Sequence, residues 1–369
     1  MNQARKEAIK KTQDFYAMKK GAKILQHDFG YYSLDRWIAE GHVKDRADIE
    51  KLWGADEKGV AQFGGLGWCE VEFYPEFEVK VIEDRGEYEL VHDHAGRHVL
   101  YFKGRRNGFM PEYVTHPVTD RESWERDIKW RMDPSHPSRE PDPKGMAHAQ
   151  EMAANGAIIC QGLIGGYMYL RSLVGPEGAL YMFYDDPDLI HDMMEAWFNL
   201  ADPIIARHQT YAQIDELFLA EDICYNGGPL ISPDMMREFL FPYYQQLITN
   251  IKARQPKKGL PFIQIDTDGD CRPVIPVYKE LGANYFSPYE VASGCDVVEL
   301  RKQYPELLMR GGIDKRELAK GKDAIDRMVD RIMPFMSQQG GYIPTCDHGV
   351  PEEVAFEDYM HFRQRLKEF

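Results

Sequence analysis

From residue 157 onward, short apolar runs alternate with longer stretches of helical period. Ala157–Gln161, Glu216–Ala220, Pro261–Ile265, Ala283–Ser287, Leu307–Arg310 and Tyr342–Thr345 each read as a buried strand, bounded by turn residues or by charge. Between them lie helix starts with a physical signature. Asp185-Asp186-Pro187 places acids and a proline where the first helical turn tolerates them, and Ser232-Pro233 offers a side-chain cap for a helix through Ile251. Strands that alternate with helices pair in parallel through right-handed crossovers. With Lys23–Phe29 as a first strand, the pattern supplies seven strands and leaves the eighth unplaced. The expected architecture is α/β, a (β/α)8 TIM-type barrel with an N-terminal extension and an inserted β-meander.

The N-terminal part carries other periods. Residues 1–20 read as a charged amphipathic helix and Asp45–Trp53 as another, with Ser33 as the cap of a helix between them. Val79–Lys103 alternates apolar and polar positions in three runs, separated by turns at Asp84–Gly86 and His94–Gly96. Thr115–Asp133 has helix signals and Asp133–Lys144 is a proline-rich loop. The expectation is one domain over 1–369, with residues 64–145 as an excursion that holds the meander and the proline-rich loop.

Composition narrows the function classes. The 369 residues include 45 basic and 60 acidic side chains, a formal net charge of −15. That balance disfavours nucleic acid and anionic membrane surfaces, and it suits a monomer or a homodimer acting on a small molecule. No run of apolar residues is long enough to span a bilayer, and the six cysteines are scattered without a C-x-x-C pair. The expected setting is the cytoplasm, with reduced thiols; Cys160 and Cys224 read as structural, Cys271 and Cys295 as loop residues.

The strand ends carry the candidate chemistry. Pro261–Asp270 reads P-F-I-Q-I-D-T-D-G-D, an apolar strand breaking into Asp266, Asp268 and Asp270 around Gly269. Glu221 and Asp222 follow the preceding strand, and Glu290 follows the next. Arg310 and Asp314 flank the strand after that, Leu307–Arg310, and Cys346, Asp347 and His348 follow the last strand. In a parallel α/β fold these positions share one rim, where ligands bind. Carboxylates crowded there need a metal, an arginine or raised pKa values, and with a histidine they suit metal ligation or proton transfer.

These stretches resemble the uroporphyrinogen decarboxylase superfamily, which includes zinc- and corrinoid-dependent methyltransferases. The resemblance is carried by Glu221–Tyr244 (E-D-I-C-Y-N-G-G-P-L-I-S-P-D-M-M-R-E-F-L-F-P-Y-Y), Pro261–Asp268, Met309–Asp314 (M-R-G-G-I-D) and Gly340–Pro351 (G-G-Y-I-P-T-C-D-H-G-V-P), and more loosely by Phe29–Trp37 and Val118–Trp124. It implies a barrel with its site at the strand C-terminal ends. Two departures bear on function. The arginine pair by which the decarboxylases hold a polycarboxylate is replaced by Phe29-Gly30-Tyr31-Tyr32-Ser33, and the thiolate-rich zinc set reads Gln264, Asp266 and His348, or Cys346 if the loop is shifted by two, with Glu221 or Asp268 to complete it. The methyltransferase branch then implies metal-assisted O- or N-demethylation, with the methyl group passing to or from a corrinoid on a partner protein. Glu221, Asp266 and His348 would be the catalytic and zinc-binding residues. Tyr31, Tyr32, Trp68, Asp268, Glu290 and Arg310 would bind substrate. The alternative is decarboxylation of a carboxylated substrate held by Arg310, with Asp266 or His348 as proton donor.

Overall fold

The computed structural model describes residues 1–103 and 111–369. Its main sheet contains β1 (Val60–Phe63), β2 (Ile158–Ile164), β3 (Glu216–Ala220), β4 (Phe262–Asp266), β5 (Tyr285–Ser287), β6 (Leu308–Arg310) and β7 (Tyr342–Ile343), all parallel and neighbours in that order. The apolar runs from Ala157 onward are thus all strands. The sheet is curled, so that Ile158 of β2 and Ile343 of β7 meet in one cluster with Phe15, Tyr16, Leu25, Tyr285 and Leu308.

Lys23–Phe29 corrects the expected strand list. The segment joins no ladder, and Val60–Phe63 takes the first place in the sheet. Its tie to the rest runs largely through side chains. Gln26 N–H donates to Asp56 Oδ2 at 2.8 Å, just before β1, and Cys346 N–H donates to Asp28 Oδ1 at 3.2 Å, just after β7. The segment therefore lies across the seam between the two edge strands. Among the described residues the ladder has seven strands, a curled open sheet, and the eighth side is an irregular chain held by polar contacts.

The helix α1 (Gln3–Tyr16) starts at Asn2, whose side chain accepts Arg5 N–H at 2.8 Å. Its C-terminal turn packs into the N-terminal mouth of the curled sheet. The Tyr16 ring lies 4.6 Å from Phe262, Phe15 lies 5.5 Å from Tyr285, and the Tyr16 hydroxyl donates to Glu216. Outside the sheet run α2 (Gly166–Val174), α3 (Pro187–Gln209), α4 (Phe241–Arg254), α5 (Lys322–Gln339) and α6 (Phe356–Leu366). Their apolar faces and the outward side chains of the strands form the main core. Asp186 caps α3 by accepting Leu189 N–H, and Ser232 accepts Met235 N–H ahead of a π turn that leads into α4.

A separate antiparallel sheet joins Lys80–Arg85, Tyr88–His92, His98–Phe102 and Glu112–Thr115 in that order. One local expectation is corrected and a second is made more specific. Ser33 precedes the helix Leu34–Ala39 without capping it, its hydroxyl being buried and unpartnered. Thr115–Asp133 is not one helix; it leaves a strand at Thr115, and its helical run over Arg121–Met132 is interrupted by π and 3-10 turns. No helix among the described residues is long and apolar enough to cross a membrane.

The seam is closed by a buried charge. The Asp28 carboxylate accepts the Tyr359 hydroxyl at 2.9 Å, and Arg363 of α6 stands 3.6 Å away with its guanidinium 3.9 Å from the centre of the Trp53 ring. Arg363 also donates to Gln26 Oε1 and the His27 carbonyl. Removing one partner of a buried ion pair costs about 3–5 kcal/mol because the other charge is stranded, whereas removing one hydrogen bond costs about 1 kcal/mol. Arg363→Ala should therefore lower the urea midpoint of unfolding far more than Tyr359→Phe; equal shifts would show that the ion pair does not hold the seam.

Candidate active site

The strand ends place the acidic residues at two depths. Beyond β3, the N–H groups of Glu221 and Asp222 both donate to the Asp266 carbonyl, at 2.9 and 3.1 Å. Asp222 adopts a left-handed φ of 40° and pairs with Arg171 at 2.6 Å. This turn sends the Glu221 side chain outward, between the sheet and the helices. Its Oε1 accepts Tyr167 N–H at 2.9 Å, and its Oε2 accepts the Tyr244 hydroxyl at 2.6 Å. A Cβ on Gly165 would lie 2.5 Å from Oε2, so only glycine fits beside it. Glu221 is fully buried, and burial pushes its carboxyl up to about 7 against the hydrogen bonds of Tyr244 and Tyr167.

Asp266 ends β4 on the inner face. Gln264 Nε2 donates to Ser287 Oγ at 2.9 Å, and Ser287 Oγ donates to Asp266 Oδ1 at 2.5 Å, a chain that fixes the carboxylate. Burial raises Asp266 to about 6, with Ser287 and the Arg310 charge acting against it. The following loop is laced to the hairpin Cys224–Pro229. Ile223 and Cys224 N–H groups donate to Thr267 Oγ1, and Asp270 N–H donates to the Tyr225 carbonyl. Gly269 has φ 76°, and a Cβ there would lie 2.6 Å from the Tyr225 backbone, so both conformation and space demand glycine.

Asp268, unlike Asp266, opens toward solvent, its side chain 45% exposed. Its Oδ2 lies 3.6 Å from His348 Nε2, an ion-pair separation rather than a hydrogen bond. Burial and then the charges of Asp222, Glu290 and Asp266 push Asp268 up to about 7, an effect that its solvent contact blunts. His348 stacks on Tyr32 with ring centres 5.5 Å apart. Its pKa is lowered, first by burial and then by Lys315. The segment is held by Tyr32 and Ser33 N–H groups donating to the Val350 carbonyl.

Glu290 is engaged twice, accepting Gly269 N–H and Lys315 Nζ, both at 2.9 Å. Burial works to raise its carboxyl, but Lys315 and Gly269 outweigh that and leave it below the ordinary range. Asp347 is also a clamp. It accepts N–H groups of Val291 and Lys315 and is raised by burial to about 6. Arg310 reaches inward with its guanidinium 4.1 Å from the centre of the Phe29 ring and a buried Nε without a partner.

The expected site residues thus separate. Asp266, Asp268 and His348 occupy the rim with Tyr32 and Glu290, and Arg310 lies below. Trp68 is 53% exposed and leans on Phe218 of β3 at 5.2 Å. Tyr31 turns away from His348. Its hydroxyl accepts Trp53 Nε1, and its ring packs on Trp37 and Tyr359. Glu221 is enclosed behind the sheet. Zinc does not fit the three expected donors, because Glu221 has both oxygens occupied elsewhere and, among the described residues, no group of three His, Cys, Asp or Glu side chains is arranged to hold a metal ion. Sequence reasoning missed Ser287, Phe218 and Lys315; only the alternation of β3 and β5 could have pointed Phe218 and Ser287 inward.

Comparison with known proteins gives a consistent picture. A family model described as Uroporphyrinogen decarboxylase (URO-D) matches residues 146–369. Uroporphyrinogen decarboxylase from Coxiella burnetii is 21% identical over 198 residues, 51% of this chain and 50% of that protein. The enzyme of the same name from Neisseria meningitidis serogroup C is 23% identical over 174 residues, 47% of this chain and 46% of that one. The chain spans about half the length of the curated relatives it matches. A solved structure described as a methyltransferase from Methanosarcina mazei superposes with a TM-score of 0.55 at 12% identity, over 98% of this chain and 99% of that one, a likeness of fold.

The enclosed Glu221 makes stability depend on pH. Its folded pKa of about 7 lies above the ordinary value of 4.5, so the folded state holds the proton more tightly than the unfolded one. The resulting stabilisation is present at acid pH and is lost as pH rises through about 7, by an amount on the order of 3 kcal/mol at most. Glu221→Gln, which cannot ionise, should lose less stability than the parent between pH 5 and pH 8 in thermal unfolding; parallel pH profiles would show that Glu221 stays ionised in the fold.

Proposed function

The chain belongs to the uroporphyrinogen decarboxylase family, and from that premise we propose that it is a methyltransferase acting on a small methylated substrate by O- or N-demethylation. The observation that carries this reading is the Asp268–His348 pair at the rim, beside the exposed ring of Tyr32. Its surroundings are acidic. Asp222, Asp266, Asp268, Glu290 and Asp347 gather there, while the cations Arg171 and Lys315 are already committed to Asp222 and Glu290. Such a rim favours a neutral or cationic ligand over a polyanion.

Asp268 supplies the acid. A carboxyl that titrates near neutrality is protonated in a large fraction of molecules, and its openness gives it access to a bound ether. The bond between methyl carbon and oxygen breaks, and the leaving oxygen takes the Asp268 proton. His348 stands at the carboxylate that remains and can return the proton from solvent. A proton here replaces the Lewis acid, since the expected zinc donors do not converge. The methyl acceptor in this reading is a reduced corrinoid carried by a partner protein, which would supply the electron pair for the new bond to the methyl carbon. Tyr32 and Trp68, half exposed at the mouth, supply apolar surface to the substrate.

Decarboxylation is the second reading. It is favoured by Arg310, whose unpartnered buried Nε could anchor one carboxylate, and by the decarboxylase names of the curated relatives. Here the anchored acid loses carbon dioxide, and Asp266 or His348 protonates the carbanion.

The two are separated by assay. Purified protein with methyl ethers or methylamines and reduced free cobalamin should yield methylcobalamin, read by absorbance, and Asp268→Asn should slow this about 10²–10⁴-fold. Carbon dioxide release from carboxylated substrates, lost in Arg310→Met and unaffected by Asp268→Asn, would overturn methyl transfer. Metal analysis adds an independent check: about one zinc per chain that disappears in both Asp266→Ala and His348→Ala would overturn the proton-donor mechanism.

A further inference from the structure

Two thiols that neither mechanism uses sit beneath the rim. Cys271 follows the Asp-rich loop after β4, and Cys295 ends the loop after β5. Their Sγ atoms lie 3.7 Å apart, and both residues are buried, at 1% and 0% exposure. The loops that carry them are docked on each other already. Gly269 N–H donates to Glu290 across the gap, and Cys295 Sγ lies 3.6 Å from the Gly269 carbonyl. The Arg272 guanidinium pairs with Asp270 and fills the space above Gly294. A disulfide is about 2.05 Å long, so closure asks for an approach of about 1.7 Å. The described cysteines elsewhere lack this arrangement: Cys160 is hydrogen-bonded to Glu216, and Cys69 is exposed.

We propose that Cys271 and Cys295 are a redox site, forming a reversible disulfide that locks together the two loops bearing Asp268 and Glu290. This goes beyond the methyl-transfer reading and does not depend on it. With hydrogen peroxide as oxidant, one thiolate attacks the O–O bond and becomes a sulfenic acid, and the departing hydroxide takes a proton to form water. The second sulfur then displaces the sulfenic hydroxyl, which leaves as a second water carrying the other thiol proton. Two electrons pass from the sulfur pair to the peroxide. The hydrogen bond from Cys271 holds the Cys295 thiol below its ordinary range and that of Cys271 above it, which favours Cys295 as the first nucleophile. Because both thiols are enclosed, only a small oxidant reaches them.

The lock acts on the rim through Gly269. That residue is wedged against the Tyr225 backbone on one side and bonded to Glu290 on the other. Fixing Cys271 to Cys295 removes the remaining freedom of the loop that presents Asp268.

The test uses the full chain treated with hydrogen peroxide, then alkylated under denaturing conditions. Of the six cysteines, two should escape alkylation, and peptide mapping should join Cys271 to Cys295. Dithiothreitol should restore all six. Cys224→Ser should behave as the parent, and Cys271→Ser should form no such link. Hydrogen exchange over residues 266–271 and 290–295 should slow several-fold in the oxidised parent and be unchanged in Cys271→Ser. Six alkylatable thiols after peroxide, a link to Cys224 instead, or unaltered exchange in the cross-linked protein would each overturn the proposal. None of these readouts involves methyl transfer or decarboxylation, so a failure here is distinct from a failure of either reading.

Discussion

The closure of the sheet depends on a carboxylate in the interior. Seven short strands cannot complete a barrel by ladder bonds alone, and the chain that fills the gap offers few regular ones. Asp28 supplies what the backbone does not, gathering a backbone N–H from beyond β7, a hydroxyl from α6 and the charge of Arg363. Burial holds its carboxyl above the ordinary range even so, which marks the arrangement as costly and held by its surroundings. Because β7 leads directly into Cys346, Asp347 and His348, the same contacts that shut the seam also set where the last rim loop begins.

The rim itself is organised by one rule, that carboxylates withdrawn from water resist ionising. Glu221, Asp266, Asp268 and Asp347 all titrate higher than free acids, with burial as the first cause in each. Their uses differ by what surrounds them. Glu221 and Asp347 have their oxygens occupied by hydrogen-bond donors from neighbouring elements and act as clamps. Asp268 meets solvent and an imidazole, and so combines an elevated pKa with access.

How much of this was legible in the sequence follows from period and from direction. Parallel strands buried on both faces read as unbroken apolar runs, which is why everything from Ala157 onward was found. Lys23–Phe29 looked the same but lies on the seam, and its place is set by tertiary side-chain contacts that no local pattern carries. Val60–Phe63 was missed for the opposite reason, being four residues beside a glycine-rich loop. Adjacent residues on a strand face opposite ways, and the turn at Asp222 continues that alternation, so a list of rim carboxylates could not tell that Glu221 points away from Asp268. Tyr31 and Tyr32 divide in the same way. The resemblance identified the family, and the residues by which this chain departs from it became the question that geometry had to answer.

The plug formed by α1 has a consequence for traffic. Phe15 and Tyr16 stop the N-terminal mouth against Phe262 and Tyr285, and at the other end Asp268 and Tyr32 meet solvent on the rim. In the methyl-transfer reading, reactants and products then share one entrance. If the two partners of a group transfer both need that entrance, they must use it in turn, and the residence time of whatever leaves first sets the pace of the next arrival.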